Sequence, residues 1–243
     1  MELPLDKYSY QARLLPALIA FAPFGFAFGV WSLNETAVWK SFVAIVASFG
    51  FATLLAQLGR DLGKRKEPLL FAQWGGKPTT KLLSHRFSSL NTVTLKRYHA
   101  KLAKLLPDLK IPEPTEEMKG PTEAVQVYDS CTIYLRENTR DRKRFPVLFA
   151  ENVNYGFRRN LWAWKPIGII TAFAGVASAV LFAVVRRSGR RSELAFCLVS
   201  GTASLLLLLL WLFVIKPSWV RVTADSYAER LITSLDAFPA TED

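Results

Sequence analysis

The sequence predicts an all-α membrane protein in which four transmembrane helices, arranged as two hairpins, flank a basic helical cytoplasmic domain. Three observations predict it. Residues 14–33, 41–59, 167–185 and 194–215 carry no charged side chain, and each run is close to the ~20 residues that cross hydrocarbon. Residues 60–165 hold 21 Lys and Arg against 11 Asp and Glu, so this block carries +10 of the chain's net +11. Within the block, apolar positions recur every three or four residues and nowhere alternate with a period of two, which is a helical pattern. With 51% apolar residues segregated in this way over 243 positions, an ordinary soluble enzyme is excluded.

The expected organisation is an N-terminal transmembrane hairpin over 1–59, the basic domain over 60–165, a C-terminal transmembrane hairpin over 166–216 and a cytoplasmic tail over 217–243. The start, Met1-Glu2-Leu3-Pro4-Leu5-Asp6-Lys7, is not the basic start of a secretory signal, and no Ala-x-Ala pattern follows it, so the first span is expected to be retained. Pro16 and Pro23 lie inside that span, where neighbouring helices re-satisfy freed carbonyls, and a kink is expected near Pro23. The short loop 34–40 returns the chain as a hairpin; its sequon Asn34-Glu35-Thr36 lies too close to both membrane ends to favour a glycan.

In the block, Ser89 or Asn91 is placed to cap a helix running to Leu106, with Val93, Leu95, Tyr98, Leu102 and Leu105 or Leu106 as its buried stripe and Pro107 as its stop. The proline-rich stretch 107–121 reads as an extended connector. A helix from Thr122 then buries Ala124, Val127, Tyr128, Cys131, Tyr134 and Leu135 and ends over 138–144. A third helix runs from Phe145 or Pro146 to Trp164, where Trp162, Trp164 and Lys165 suit a membrane interface, and Pro166 marks the start of the third span.

Charge near the span ends sets the orientation. Eleven Lys and Arg flank the spans on the block's side and five on the other, Lys40 with Arg186, Arg187, Arg190 and Arg191. The positive-inside tendency puts both termini and the block in the cytoplasm, while the four loop arginines leave open a last hairpin that does not fully cross.

Gly25 and Gly29 have the spacing that lets membrane helices approach closely, and Gly175, Ala179 and Ala183 repeat it. Both sets fit helix packing, either between copies or within one bundle. No Asp, Glu, Lys, Arg or His lies in any span, so the parts of a proton relay or charge-driven carrier are missing from the four runs. Gly75-Gly76-Lys77-Pro78-Thr79-Thr80 resembles the end of a phosphate loop, but Phe71 stands where the leading glycine belongs and Pro78 removes a donor; a nest of amides beside Lys77 remains an expectation. His85 and His99 have no acidic or cysteine cluster beside them and read as surface or partner-facing groups. Cys131 and Cys197 read as plain thiols. Neither a catalytic set, a metal site nor a cofactor is expected.

The positive signal is basic and aromatic interleaving. Lys77, Lys81 and Arg86 accompany Trp74, His85 and Phe87; Lys96, Arg97, Lys101 and Lys104 accompany Tyr98 and His99; Arg140, Arg142, Lys143 and Arg144 precede Phe145. Cations that follow phosphates beside rings that stack on bases are what single-stranded nucleic acid requires. The competing reading is a solvated face or contact with anionic membrane lipid, which is favoured for 60–66 and 158–165 beside the spans.

The layout of two spans, a basic helical domain and two further spans, together with Trp74-Gly75-Gly76-Lys77-Pro78-Thr79-Thr80 and the stretch Asn152 to Asn160, resembles the membrane effector of the Hailong-type bacterial anti-phage defence system. That resemblance implies a homo-oligomeric ion channel, a tetramer, held closed by single-stranded DNA oligomers from a partner nucleotidyltransferase and opened to kill the infected cell. Two rivals stand beside it: a membrane-anchored scaffold recruiting a soluble acidic partner, and an enzyme acting on lipid head groups.

Overall fold

The computed structural model describes residues 6–31, 49–185 and 191–239. Among these the chain is all-helical: α1 (Ser9–Trp31), α2 (Phe49–Trp74), α3 (Pro78–Leu83), α4 (Thr92–Leu105), α5 (Pro114–Lys119), α6 (Pro121–Asn138), α7 (Pro146–Val185), α8 (Arg191–Val214) and α9 (Pro217–Thr233), with a 3-10 turn at Ser234–Ala237. Three helices, α1, α7 and α8, are long and apolar enough to cross a membrane. The whole of the expected loop at 34–40, residues 41–48 of the expected second span and residues 186–190 of the arginine loop lie outside the described residues. The chain divides into two compact units, residues 1–67 with 156–220 and residues 68–155 with 221–243.

The first unit is built on close helix approach. Ala17, Ala20, Leu55, Leu161, Trp164, Ala172, Trp211 and Ile215 form its core, and α1 packs against α8. A Cβ on Gly168 would lie 2.2 Å from the Trp211 ring, and one on Gly175 would lie 2.5 Å from Ser204 Oγ and 3.1 Å from Pro23. A Cβ on Gly201 would meet Ala179 at 2.9 Å. Gly175 and Ala179 thus serve packing within one chain. A Cβ on Gly25 would meet no described atom within 4 Å, whereas Gly29 is buried. Ile170, Phe173, Leu198, Leu206 and Phe213 are exposed, apolar side chains of the kind that face lipid.

Two wide π-helical turns, at Ser9–Leu14 in α1 and at Leu210–Val214 in α8, leave carbonyls to be satisfied from elsewhere. Asn160 Nδ2 donates to Ala12 O at 2.6 Å, and Lys165 Nζ donates to Ile215 O at 2.8 Å. Asn160 is fully buried because Gly63 leaves room for it: a Cβ at Gly63 would stand 1.8 Å from its Oδ1. Beside it Arg159 pairs with Glu67 at 2.8 Å, burying a charge with its counterion. Lys66 and Arg158 lie over the Trp162 and Trp219 rings at 5.5 and 4.5 Å, a grouping suited to a membrane interface.

These contacts explain several departures from expectation. Residues 60–67 and 156–165, expected in the central domain, are part of the first unit, since Leu62, Leu161 and Trp164 join its core. α2 continues well past Gly59 rather than stopping there, and α7 runs through Pro166 as one helix; in the turn that Pro166 loosens, Lys66 Nζ donates to the Ala163 carbonyl at 3.3 Å. α1 continues through Pro23.

The second unit has its own core, in which Leu83, Tyr98, Leu102, Tyr128, Cys131 and Leu135 meet Leu231, Ile232 and Leu235. Asn91 caps α4 by accepting from Thr94 N at 2.8 Å, and α4 buries Leu95, Tyr98 and Leu102. Val93, expected in that stripe, is 77% exposed, because it stands about 200° around the helix from Leu95. The stretch 107–121 is not wholly extended: it contains α5, which Pro114 starts at its first position and which Glu113 and Glu116 close with reciprocal capping bonds. Ala124, Tyr128, Cys131 and Leu135 form the buried face of α6, with Val127 and Tyr134 partly buried against it. The expected tail is structured: α9 and the following turn deliver Leu231, Ile232 and Leu235 to the core, each fully buried.

At the centre of this unit the Glu117 carboxylate, 4% exposed, accepts from Ser84 Oγ at 2.5 Å, His85 N at 2.8 Å and Tyr128 OH at 2.9 Å. Burial alone would raise its pKa, but these donors together hold it below the usual carboxylate value. His99 is not a surface group: it is buried, stacks on Tyr128 with centroids 5.8 Å apart and bonds through Nε2 to Leu83 O at 2.8 Å. Its burial lowers its pKa. His85 Nε2 bonds to Pro112 O at 3.1 Å and so holds the connector, whereas His99 holds the end of α3.

Candidate polyanion-binding site

The two units share the chain's charge unevenly. The first contains 15 Lys and Arg against 6 Asp and Glu, and the second contains 16 against 14. Half of the +10 read from the central block is therefore carried by 60–67 and 156–165, which hold 7 Lys and Arg against 2 Asp and Glu and belong with the span-length helices, where anionic head groups are the natural counterions. Within the second unit, residues 68–155 hold 14 Lys and Arg against 9 Asp and Glu, while 221–243 hold 2 against 5. The acidic C-terminal segment offsets the basic one. A polyanion site in this unit depends on local clustering, not on overall charge.

The sequence-predicted cations separate into three groups. Arg97, Lys101 and Arg144 converge on one short segment. Arg97 reaches Asp236 at 3.1 Å, Lys101 Nζ donates to Phe238 O at 2.8 Å and Arg144 donates to Ala237 O at 2.6 Å. Tyr98 OH joins them by donating to Asp236 Oδ2 at 3.0 Å, and burial together with that carboxylate raises the tyrosine pKa. Arg97 and Lys101 stand four residues apart on α4 and so share a face.

A second group is engaged elsewhere. Lys77 pairs with both oxygens of Asp129 at 2.8 Å, Arg140 pairs with Glu137, and Arg142 lies over the Phe149 ring at 4.5 Å. Lys96, Lys104 and Lys143 form the third group, exposed on the surface. The nest expected at Gly75 and Gly76 is not available to phosphate through their own amides. Both glycines have positive φ, 70° and 127°, but their N–H groups already donate to Ala72 O and Phe71 O.

The sequence groups Phe87 with Lys81 and Arg86. Phe87 is 58% exposed, with Arg86 at 5.2 Å and Lys81 at 5.8 Å from its ring centre, a cation-flanked ring of the kind that meets bases. Asp236 was missed, and nothing local in the sequence links it to Arg97.

Among the described residues no group of three or more His, Cys, Asp or Glu is placed to hold a metal ion. No protein-family model, curated protein or solved structure matches the chain.

Proposed function

We propose that this protein is an oligomeric membrane ion channel, with four spans as two hairpins and its helical unit in the cytoplasm, regulated by a polyanion bound at Arg97, Lys101 and Arg144. The exposed Lys96, Lys104 and Lys143 extend the phosphate-contacting surface. The observation that carries this reading is the convergence of three cations and a tyrosine hydroxyl on acceptor oxygens alone, in a chain that also has three span-length apolar helices. Carboxylate and carbonyl oxygens are the chemical equivalents of phosphodiester oxygens, and guanidinium suits both. By its resemblance to Hailong-type effectors, the ligand is a single-stranded DNA oligomer and the output is killing of an infected cell.

The test is binding of a labelled single-stranded oligonucleotide to the purified chain across a salt series. Replacing Lys96, Lys104 and Lys143 together by alanine is expected to weaken binding for every base sequence. It should also flatten the salt dependence by roughly 0.7 in slope for each lost phosphate contact. Unchanged affinity and slope would remove those three residues from the site.

A second reading, a membrane-anchored scaffold, draws support from the small charge excess of the second unit and its exposed Val93, Met118 and Val125. A scaffold passes no ions, so flux separates the two.

A further inference from the structure

The segment that holds Arg97, Lys101 and Arg144 belongs to the chain itself, and its chemistry is that of a ligand. Leu231, Ile232 and Leu235 are fully buried and anchor the end of α9 and the turn after it. The anchor presents the Asp236 carboxylate and the carbonyls of Ala237 and Phe238, acceptors at the negative end of a helical turn, to the three cations. The Phe238 ring sits against Tyr134 and Phe145, at 6.3 and 6.4 Å between centres, and fixes the far side of the segment. The Arg97 and Arg144 contacts are solvent-exposed, with the Arg97 side chain 60% and the Asp236 side chain 53% accessible, while the Lys101 contact is partly buried; exposed ion pairs are weak. The arrangement is an anion mimic on a firm base with a displaceable tip.

We infer that residues 236–238 act as a built-in competitor, occupying Arg97, Lys101 and Arg144 until a phosphodiester polyanion displaces them. This rests on the polyanion reading above and adds its regulation. Binding of the polyanion frees the strap from α4 while Leu231, Ile232 and Leu235 stay buried, so the signal of occupancy is a change at the C-terminal tip. Lys96 and Lys143, both exposed, supply the first encounter, because a strand can contact them while the strap is still seated.

The experiment uses the purified full chain in detergent and a fluorescein-labelled single-stranded oligodeoxythymidine followed by anisotropy. Asp236→Asn removes the competitor's charge and is expected to tighten binding about threefold to fivefold, the scale of one exposed ion pair. Asp225→Asn, which removes an equal charge from α9 where Asp225 pairs with Arg221 at 3.4 Å, is expected to leave affinity at the wild-type value. In the wild-type chain, adding the oligonucleotide should speed hydrogen exchange at the Phe238 amide, which donates to Leu235 O when the strap is seated. Tight binding that responds equally to the two substitutions, with Phe238 exchange unchanged, would overturn the competitor and leave the polyanion reading standing. Failure of wild type and both variants to bind would overturn the polyanion reading and the competitor with it.

Discussion

Replacing Glu117 by alanine should open the second unit, and the two cysteines give a direct way to measure it. The carboxylate is the acceptor for Ser84 Oγ, His85 N and Tyr128 OH, which tie the α3–α4 connection and α6 to α5. Truncation leaves three donors buried without this acceptor, each costing about 1–3 kcal/mol before water enters, so a net loss of about 3–5 kcal/mol is expected. Cys131 is fully buried on α6, and burial pushes its thiol up to about 11, so in the folded unit it reacts only on opening. In a Cys197→Ser background, the labelling rate of Cys131 follows the opening equilibrium, and about 3 kcal/mol corresponds to roughly 150-fold faster labelling. Glu117→Gln keeps an acceptor oxygen and should accelerate labelling only about 5-fold to 30-fold, the effect of about 1–2 kcal/mol. Labelling of Glu117→Ala within twofold of wild type would refute the assignment of this carboxylate as the hub.

Acid should destabilise the same unit. The folded pKa values of His99 and Glu117 both lie below their ordinary values, 6.5 and 4.5, so the stability they contribute is full above those values. It is lost as pH falls, first through the His99 range and then through that of Glu117, and Cys131 labelling corrected for thiolate content should rise in that order. Gly175→Leu should lower the thermal midpoint of the first unit through overpacking of about 1–3 kcal/mol against Ser204 and Pro23, while Gly25→Leu should leave the single-chain fold intact. A melting series in one detergent checks both. Cysteines placed at Asn34 and Gly189 should both be labelled from outside intact cells if all four spans cross; labelling at 34 without 189 marks a last hairpin that does not.

What the sequence made legible was local. The α4 cap and its buried Leu95, Tyr98 and Leu102 follow from one side chain and a helical period, and so does the Ala124, Tyr128, Cys131 and Leu135 face of α6. Val93 was misread because apolar character was counted ahead of its angle on that same helix. The capping box of α5 was present as Glu113-Pro114-Thr115-Glu116 and was obscured by the surrounding prolines. Long-range pairings had no such signature. Arg97 and Asp236 are 139 residues apart, and Gly63 and Asn160 nearly a hundred, so neither periodicity nor composition joins them. The charge reading suffered in the same way: a block contiguous in sequence is divided between units once 60–67 and 156–165 pack with the apolar helices and the acidic 221–243 folds onto the basic segment.

The central claim is that a polyanion on the second unit controls ion passage through the first, and flux through liposomes reconstituted with the purified chain tests it most directly. The account predicts salt-dependent flux that an added single-stranded oligonucleotide suppresses, and that persists with the oligonucleotide present when Arg97, Lys101 and Arg144 are all replaced by alanine. Liposomes no leakier than protein-free controls, or a flux that the oligonucleotide alters equally in wild type and triple variant, would contradict it.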